Sequence, residues 1–206
     1  MTQYAFHFNG ERCTGCKTCQ LACADYKNLD QEHWYRKVYE FGDGSWEQDS
    51  NGCWKTDTFT YHVTVGCNHC DDPACTKACP TGAIHKDPDT GLVRVDDSKC
   101  IGCGYCAMAC PYGALTVDRT KGHSVKCDGC AKRVAQGMKP ICVEACPLHA
   151  LEFGTAEEMS AHGERADFAP LPPAAQTKPN LYAIKPANAQ PAEDYKGRIE
   201  NTMEVM

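Results

Sequence analysis

No window of this chain approaches 18 consecutive apolar residues, so the sequence offers no transmembrane helix. It has no run of basic residues either. With Lys+Arg 21 against Asp+Glu 27 and a formal charge of −6, it carries no phosphate footprint, which argues against a nucleic-acid partner. The opening Met-Thr-Gln-Tyr-Ala-Phe-His-Phe lacks the segments of a secretory signal peptide. No G-x-G-x-x-G follows a strand pattern, and no phosphate-binding loop or nucleophile motif is present, so a self-sufficient enzyme is not expected.

Cysteine, in contrast, is abundant: 17 in 206 residues. A disulfide scaffold would need an oxidising folding route that nothing in the sequence provides. The spacing points to metal instead. From Cys100 to Pro111 the chain reads Cys-Ile-Gly-Cys-Gly-Tyr-Cys-Ala-Met-Ala-Cys-Pro, a C-x2-C-x2-C-x3-C-P run. This is the ligand run of a bacterial-type 4Fe–4S cluster, in which three cysteines grip one cube and the fourth reaches a second. The spacing predicts that fourth cysteine on the first turn of a short helix, which the proline then stops. Cys13, Cys16, Cys19 and Cys23 repeat the pattern, as do Cys67, Cys70, Cys75, Cys79 and Pro80 with a longer middle gap, and Cys127, Cys130, Cys142, Cys146 and Pro147 with an eleven-residue one. Structural zinc sites pair two CxxC elements across a longer gap, and this pattern does not fit them.

The fourfold repeat implies four 4Fe–4S clusters with fourth ligands exchanged between runs. The two central runs would give Cys67, Cys70, Cys75 and Cys110 on one cluster, and Cys100, Cys103, Cys106 and Cys79 on another. The outer runs would give Cys13, Cys16, Cys19 and Cys146, and Cys127, Cys130, Cys142 and Cys23. The expected fold is α+β: two ferredoxin-like two-cluster modules, an inner one over 58–117 inserted in an outer one over 1–28 plus 118–154. Short strands are expected at Tyr4–Phe8, Thr58–Val65, 84–86 paired with 92–95, and 114–117, with a helical turn near 131–135. Residues 29–57 read as a hairpin insertion whose aromatics, including Trp34, Trp46 and Tyr35, are mostly core or interface.

Cys53 fits none of the runs and reads as a free thiol without a role. His69, between two ligands, and His123 and His149, beside others, read as structural and not iron-binding. Lys99, Lys126, Lys132 and Arg133 adjoin the runs and could offset cluster charge, though solvated surface is the plainer reading. Residues 155–206 hold no cysteine and six of the 12 prolines, so they are expected to run extended as a strap, docking through Phe168, Leu171, Leu181, Tyr182 and Ile184. Sixteen ligands for four cubes leave no open iron, which favours an electron conduit; a freestanding polyferredoxin is the alternative.

The strings Arg-Cys-Thr-Gly-Cys-Lys-Thr-Cys (12–19), Cys-Asn-His-Cys-Asp-Asp-Pro-Ala-Cys-Thr-Lys-Ala-Cys-Pro (67–80), Lys-Cys-Asp-Gly-Cys (126–130) and Lys-Pro-Ile-Cys-Val-Glu-Ala-Cys-Pro (139–147) closely resemble the iron–sulfur B subunits of the dimethyl sulfoxide reductase group, four-cluster subunits of molybdopterin oxidoreductases. Thr177-Lys178-Pro179-Asn180 and Ile184-Lys185-Pro186 extend the resemblance into the tail. It implies anaerobic respiration on dimethyl sulfoxide or a related oxide, with formate, polysulfide or thiosulfate complexes as alternatives. It also implies a molybdopterin catalytic subunit and an integral membrane quinol-oxidising anchor as partners. Co-export with the catalytic subunit would place the protein on the periplasmic or extracellular membrane face, the cytoplasmic face being the alternative. The Cys13 cluster would lie toward the catalytic subunit and the Cys100 cluster toward the membrane. Cys103 stands where nitrate reductases have tryptophan, so no three-iron cluster is expected.

Overall fold

Phe6 and Phe8 alternate with Ala5 and His7, and the computed structural model turns this alternation into a strand buried on both faces, β1 (Tyr4–Asn9). The structure describes residues 2–205. Helix α1 (Thr18–Lys27) follows, then β2 (Arg36–Asp43), a short hairpin of β3 (Trp46–Gln48) and β4 (Trp54–Thr56), and β5 (Phe59–Gly66). β2 and β5 pair antiparallel from Arg36↔Gly66 to Asp43↔Phe59, joining the 29–57 segment to the strand beyond it. Val38 and Phe41 on β2 and Tyr61, Val63 and Val65 on β5 share one core with Phe6 and Phe8. Trp46 and Trp54 do not join it: both lie on the all-exposed β3–β4 hairpin, which is too short to bury a side chain on either face.

Each later ligand run is followed by a strand. After α2 (Ala74–Lys77) come β6 (Ile84–Lys86) and β7 (Val93–Val95), an antiparallel pair; after α3 (Tyr105–Ala109) come β8 (Leu115–Asp118) and β9 (His123–Lys126). The fourth run, with α4 (Ala131–Val134) and α5 (Ile141–Glu144), leads into β10 (Leu151–Thr155), which pairs antiparallel with β1. The strand preceding the first run is thus closed by the strand following the fourth. β9, short and polar, has no counterpart in the sequence pattern.

The segment after β10 does not run extended. It contains α6 (Ala156–Ser160), begun by a Thr155/Glu158 capping box, then β11 (Glu164–Arg165), β12 (Leu181–Ile184), β13 (Arg198–Ile199) and α7 (Thr202–Val205). β12 pairs parallel with β1 and sits inside the four-stranded sheet β10-β1-β12-β11. Phe168, Leu171 and Leu181 are at most 2% exposed, within the protein's own core. Proline limits helix here, but the apolar clusters between prolines find partners in β1 and β5.

Candidate iron–sulfur cluster sites

The ligand loops share a backbone device. The residue before the second cysteine has left-handed φ in every run: Gly15 at 69°, His69 at 45°, Gly102 at 67° and Gly129 at 68°. A second left-handed residue follows each Cys-Pro pair by two: Gly82, Gly113 and His149. Such turns fold three cysteines around one centre, and glycine adopts them at no steric cost. His69 and His149 therefore occupy glycine-like positions in the repeat. His69 is buried, its Nδ1 accepts from the Val93 N–H at 3.0 Å, and burial, then Lys126, Lys86 and Arg94, lower its pKa well below the usual histidine range. A neutral ring accepting at Nδ1 carries its proton on Nε2, so the ring has no free lone pair for iron. The His123 ring bonds instead to the Ser124 carbonyl at 3.1 Å.

The third cysteine of each run sits on the helix, Cys19 in α1, Cys75 in α2, Cys106 in α3 and Cys142 in α5, and in the three runs that end in proline the fourth does not. Cys110 is already extended (φ −80°, ψ 113°), because a residue preceding proline is driven out of the helical region. Only Cys23, with no proline after it, stays helical.

Cys13, Cys16 and Cys19 line one cavity together with Cys146, although 129 residues lie between Cys16 and Cys146. The other thiols group by electrostatic proximity. Cys70 and Cys75 are each influenced by Cys67 and Cys110, and Cys23 by Cys142 and Cys130. Cys75, Cys79, Cys106 and Cys110 of the two inner runs pack in one small core with Ile84, Val93 and Leu115, while Cys100 and Cys106 both meet Ser124. Among the described residues no three His, Cys, Asp or Glu side chains converge to hold a single metal ion. The four thiolates of a cube each bind a different iron and so stand apart.

Burial pushes the Cys13 thiol up to about 11, against a hydrogen bond from Gly15 and with Cys19, Cys146 and Cys16 adding to it. Burial likewise pushes Cys23, Cys70 and Cys75 up to about 12, and Cys127 is raised for the same reason. Thiols so placed ionise only against added positive charge, which is what iron supplies. At the surface the balance reverses. A hydrogen bond with the Thr18 side chain lowers Cys16, and at Cys79 burial is outweighed by hydrogen bonds from Ile84, Thr81 and Ala83, which bring it to about 7. Donors also reach individual sulfurs: Ser124 N to Cys100 at 3.3 Å, Gly129 N to Cys127 at 3.4 Å and Ala150 N to Cys146 at 3.3 Å. Hydrogen bonds of this kind help set cluster potentials. The residues fit 4Fe–4S groups.

Lys99 and Lys132 are exposed, as surface lysines should be, but Lys126 is 6% exposed, and its Nζ donates to the Val93 and Cys127 carbonyls. Arg36, which the motif reading missed, is 3% exposed beside Cys19. Its inward phase with Val38 on β2 was the only available signal. Cys53 is exposed, in the turn between β3 and β4.

Comparison with known proteins agrees with this geometry. A 4Fe-4S dicluster domain family matches residues 58–156, and a 4Fe-4S binding domain family matches 10–26. The B subunit of the anaerobic dimethyl sulfoxide reductase of Escherichia coli K12 is 56% identical over 206 residues, covering 99% of both proteins. The corresponding Haemophilus influenzae subunit is 52% identical over the whole of both, and the thiosulfate reductase electron transfer subunit PhsB of Salmonella typhi 38% over 76% of this protein and 78% of its own length. The protein therefore belongs to the family of dimethyl sulfoxide reductase B subunits, 4Fe–4S iron–sulfur proteins of electron transfer.

Proposed function

We propose that the protein is the non-catalytic relay of a three-part complex, holding four 4Fe–4S clusters on the ligand sets Cys13/Cys16/Cys19/Cys146, Cys23/Cys127/Cys130/Cys142, Cys67/Cys70/Cys75/Cys110 and Cys79/Cys100/Cys103/Cys106. The observation that carries it is the cavity shared by Cys13, Cys16, Cys19 and Cys146, a meeting that an exchange of fourth ligands between the outer runs accounts for. The β1–β10 pairing supports two nested modules, because it closes the outer one around residues 58–117. Bound clusters would supply one-electron redox centres; the protein's part is to bury the thiols, exclude water and direct N–H donors at the sulfurs.

Two ligands are exposed, Cys16 and Cys103, and each has an apolar rim. Ile101 (66% exposed), Tyr105 (53%) and Met108 (74%) flank Cys103 along the same ligand run. Leu148 lines the cavity of Cys16, and a hollow with Leu21, Trp34 and Met203 adjoins Lys17. Such rims suit docking surfaces. We assign the Cys16 end to a molybdopterin catalytic subunit and the Cys103 end to a quinol-oxidising membrane anchor. The anchor would hold the protein at the membrane, on the periplasmic or extracellular face by co-export. The terminal acceptor that this reading favours is dimethyl sulfoxide or a related oxide.

Electron paramagnetic resonance of single variants tests the ligand sets. Cys146→Ser should abolish the same signal as Cys16→Ser. If Cys146→Ser instead removes the signal lost in Cys130→Ser, the exchange is wrong.

A further inference from the structure

The protein has more acidic than basic residues, yet Arg36 is buried among thiols with no carboxylate partner among the described residues. Its one side-chain hydrogen bond there runs from Nη1 to Thr64 Oγ1 at 3.2 Å, and that hydroxyl lies 3.4 Å from Cys19 Sγ. Its guanidinium lies 5.0 Å from the centre of the Phe6 ring. Lys126, the other buried cation near the ligands, is satisfied by two backbone carbonyls; Arg36 has no equivalent. A buried cation without a counterion loses hydration that one hydrogen bond and an aromatic ring restore only in part, so an anionic group beside it is favoured. The sulfurs nearest in electrostatic influence are Cys142 and Cys19 first, then Cys127 and Cys23. Burial opposes the charge of Arg36, and those sulfurs, once ionised as cluster ligands, oppose that penalty.

Those four residues come from two of the proposed ligand sets. Cys19 belongs to the Cys13/Cys16/Cys19/Cys146 set, and Cys142, Cys127 and Cys23 to the other outer one.

Resting on that assignment, we infer that Arg36 is a shared countercharge between the two outer cluster sites, fixed there by Thr64 and Phe6, and that it raises both reduction potentials. Reduction adds negative charge, and a fixed cation in a low-dielectric site favours the more negative state. Arg36 is thus a positioning and electrostatic residue of the relay, which keeps neighbouring anionic groups in one core.

Redox titration of the intact complex, followed by paramagnetic resonance, tests this. Signals are first assigned with Cys16→Ser, Cys130→Ser and Cys103→Ser. Arg36→Met should lower both outer-set potentials by a tenfold or larger shift in the one-electron equilibrium, about 59 mV. The Cys103 signal should not move, and Arg36→Lys should restore most of the shift. Unmoved outer potentials with clusters intact would overturn the inference while leaving the ligand sets standing. If Arg36→Met does not assemble, Arg36→Lys and Arg36→Gln decide. Assembly with Lys and not with Gln supports a charge requirement, and failure of both, or success of both without a shift, shows a packing role. Failure of the ligand assignment itself would appear separately, as Cys146→Ser removing the Cys130 signal instead of the Cys16 signal.

Discussion

At the scale of single residues, the second ligand loop is held from a distant part of the sequence, by Asn180. Cysteine spacing identifies ligands because three of them must sit on one loop, and the glycines beside them mark its left-handed turn. Asn180 carries no such mark, yet its side-chain amide donates to the His69 carbonyl at 2.9 Å and to Asp71 Oδ1 at 2.9 Å. The backbone around it does the same work, with Asp71 N donating to Lys178 O and Asp72 N to Thr177 O. Thr177–Asn180, visible in the sequence only as a resemblance, is a clamp on the second ligand loop, where histidine instead of glycine holds the left-handed turn. Asn180→Ala removes two hydrogen bonds from a site only 1% exposed, so a cost of about 1–3 kcal/mol is expected. The Cys67/Cys70/Cys75/Cys110 signal should be the first lost on exposure to an iron chelator. Equal loss of all four signals would show that the clamp is not local.

Among elements, the short hairpins were readable because partners lie within a few residues of each other and Asp-Pro-Asp-Thr-Gly announces the turn between β6 and β7. β12 was not readable, because its partner β1 lies at the other end of the sequence and a parallel pair has no turn to announce it. The proline content of the tail was real evidence against long helices but not against strand or core. Phe168, Leu171 and Leu181 each contribute roughly 1.5–3 kcal/mol by burial. Their joint loss would consume most of the roughly 5–15 kcal/mol by which a domain is stable. Truncation after Gly154 should therefore abolish cooperative folding and cluster content together, measured by circular dichroism and iron analysis. A truncated protein that keeps its clusters and loses only its partners would restore the strap reading.

For the whole molecule, the proposed ligands are part of the core, since Cys19, Cys70, Cys142 and Cys146 pack with Phe6, Val63 and Leu181 in one cluster of buried side chains. Cluster sites buried this way can exchange electrons with a partner only where a ligand reaches the surface, and Cys16 and Cys103 are the exposed members of the sixteen. Their rims differ in chemistry. Ile101, Tyr105 and Met108 form an apolar face from a single ligand run, whereas the Cys16 side mixes Leu21, Leu148 and Met203 with the Lys17–Glu40 ion pair. A face rich in exposed apolar side chains suits a partner that is itself largely apolar, and a mixed face suits a soluble one. A carboxylate placed in an apolar docking face must be desolvated without a counterion, so Met108→Glu should release the membrane anchor while the catalytic subunit stays bound. Leu21→Glu should do the reverse. Both side chains are exposed, so the four cluster signals of the protein should persist in each variant. Copurification from membranes reads the outcome directly: loss of the catalytic subunit in Met108→Glu, or of both partners in either variant, would break the assignment of ends.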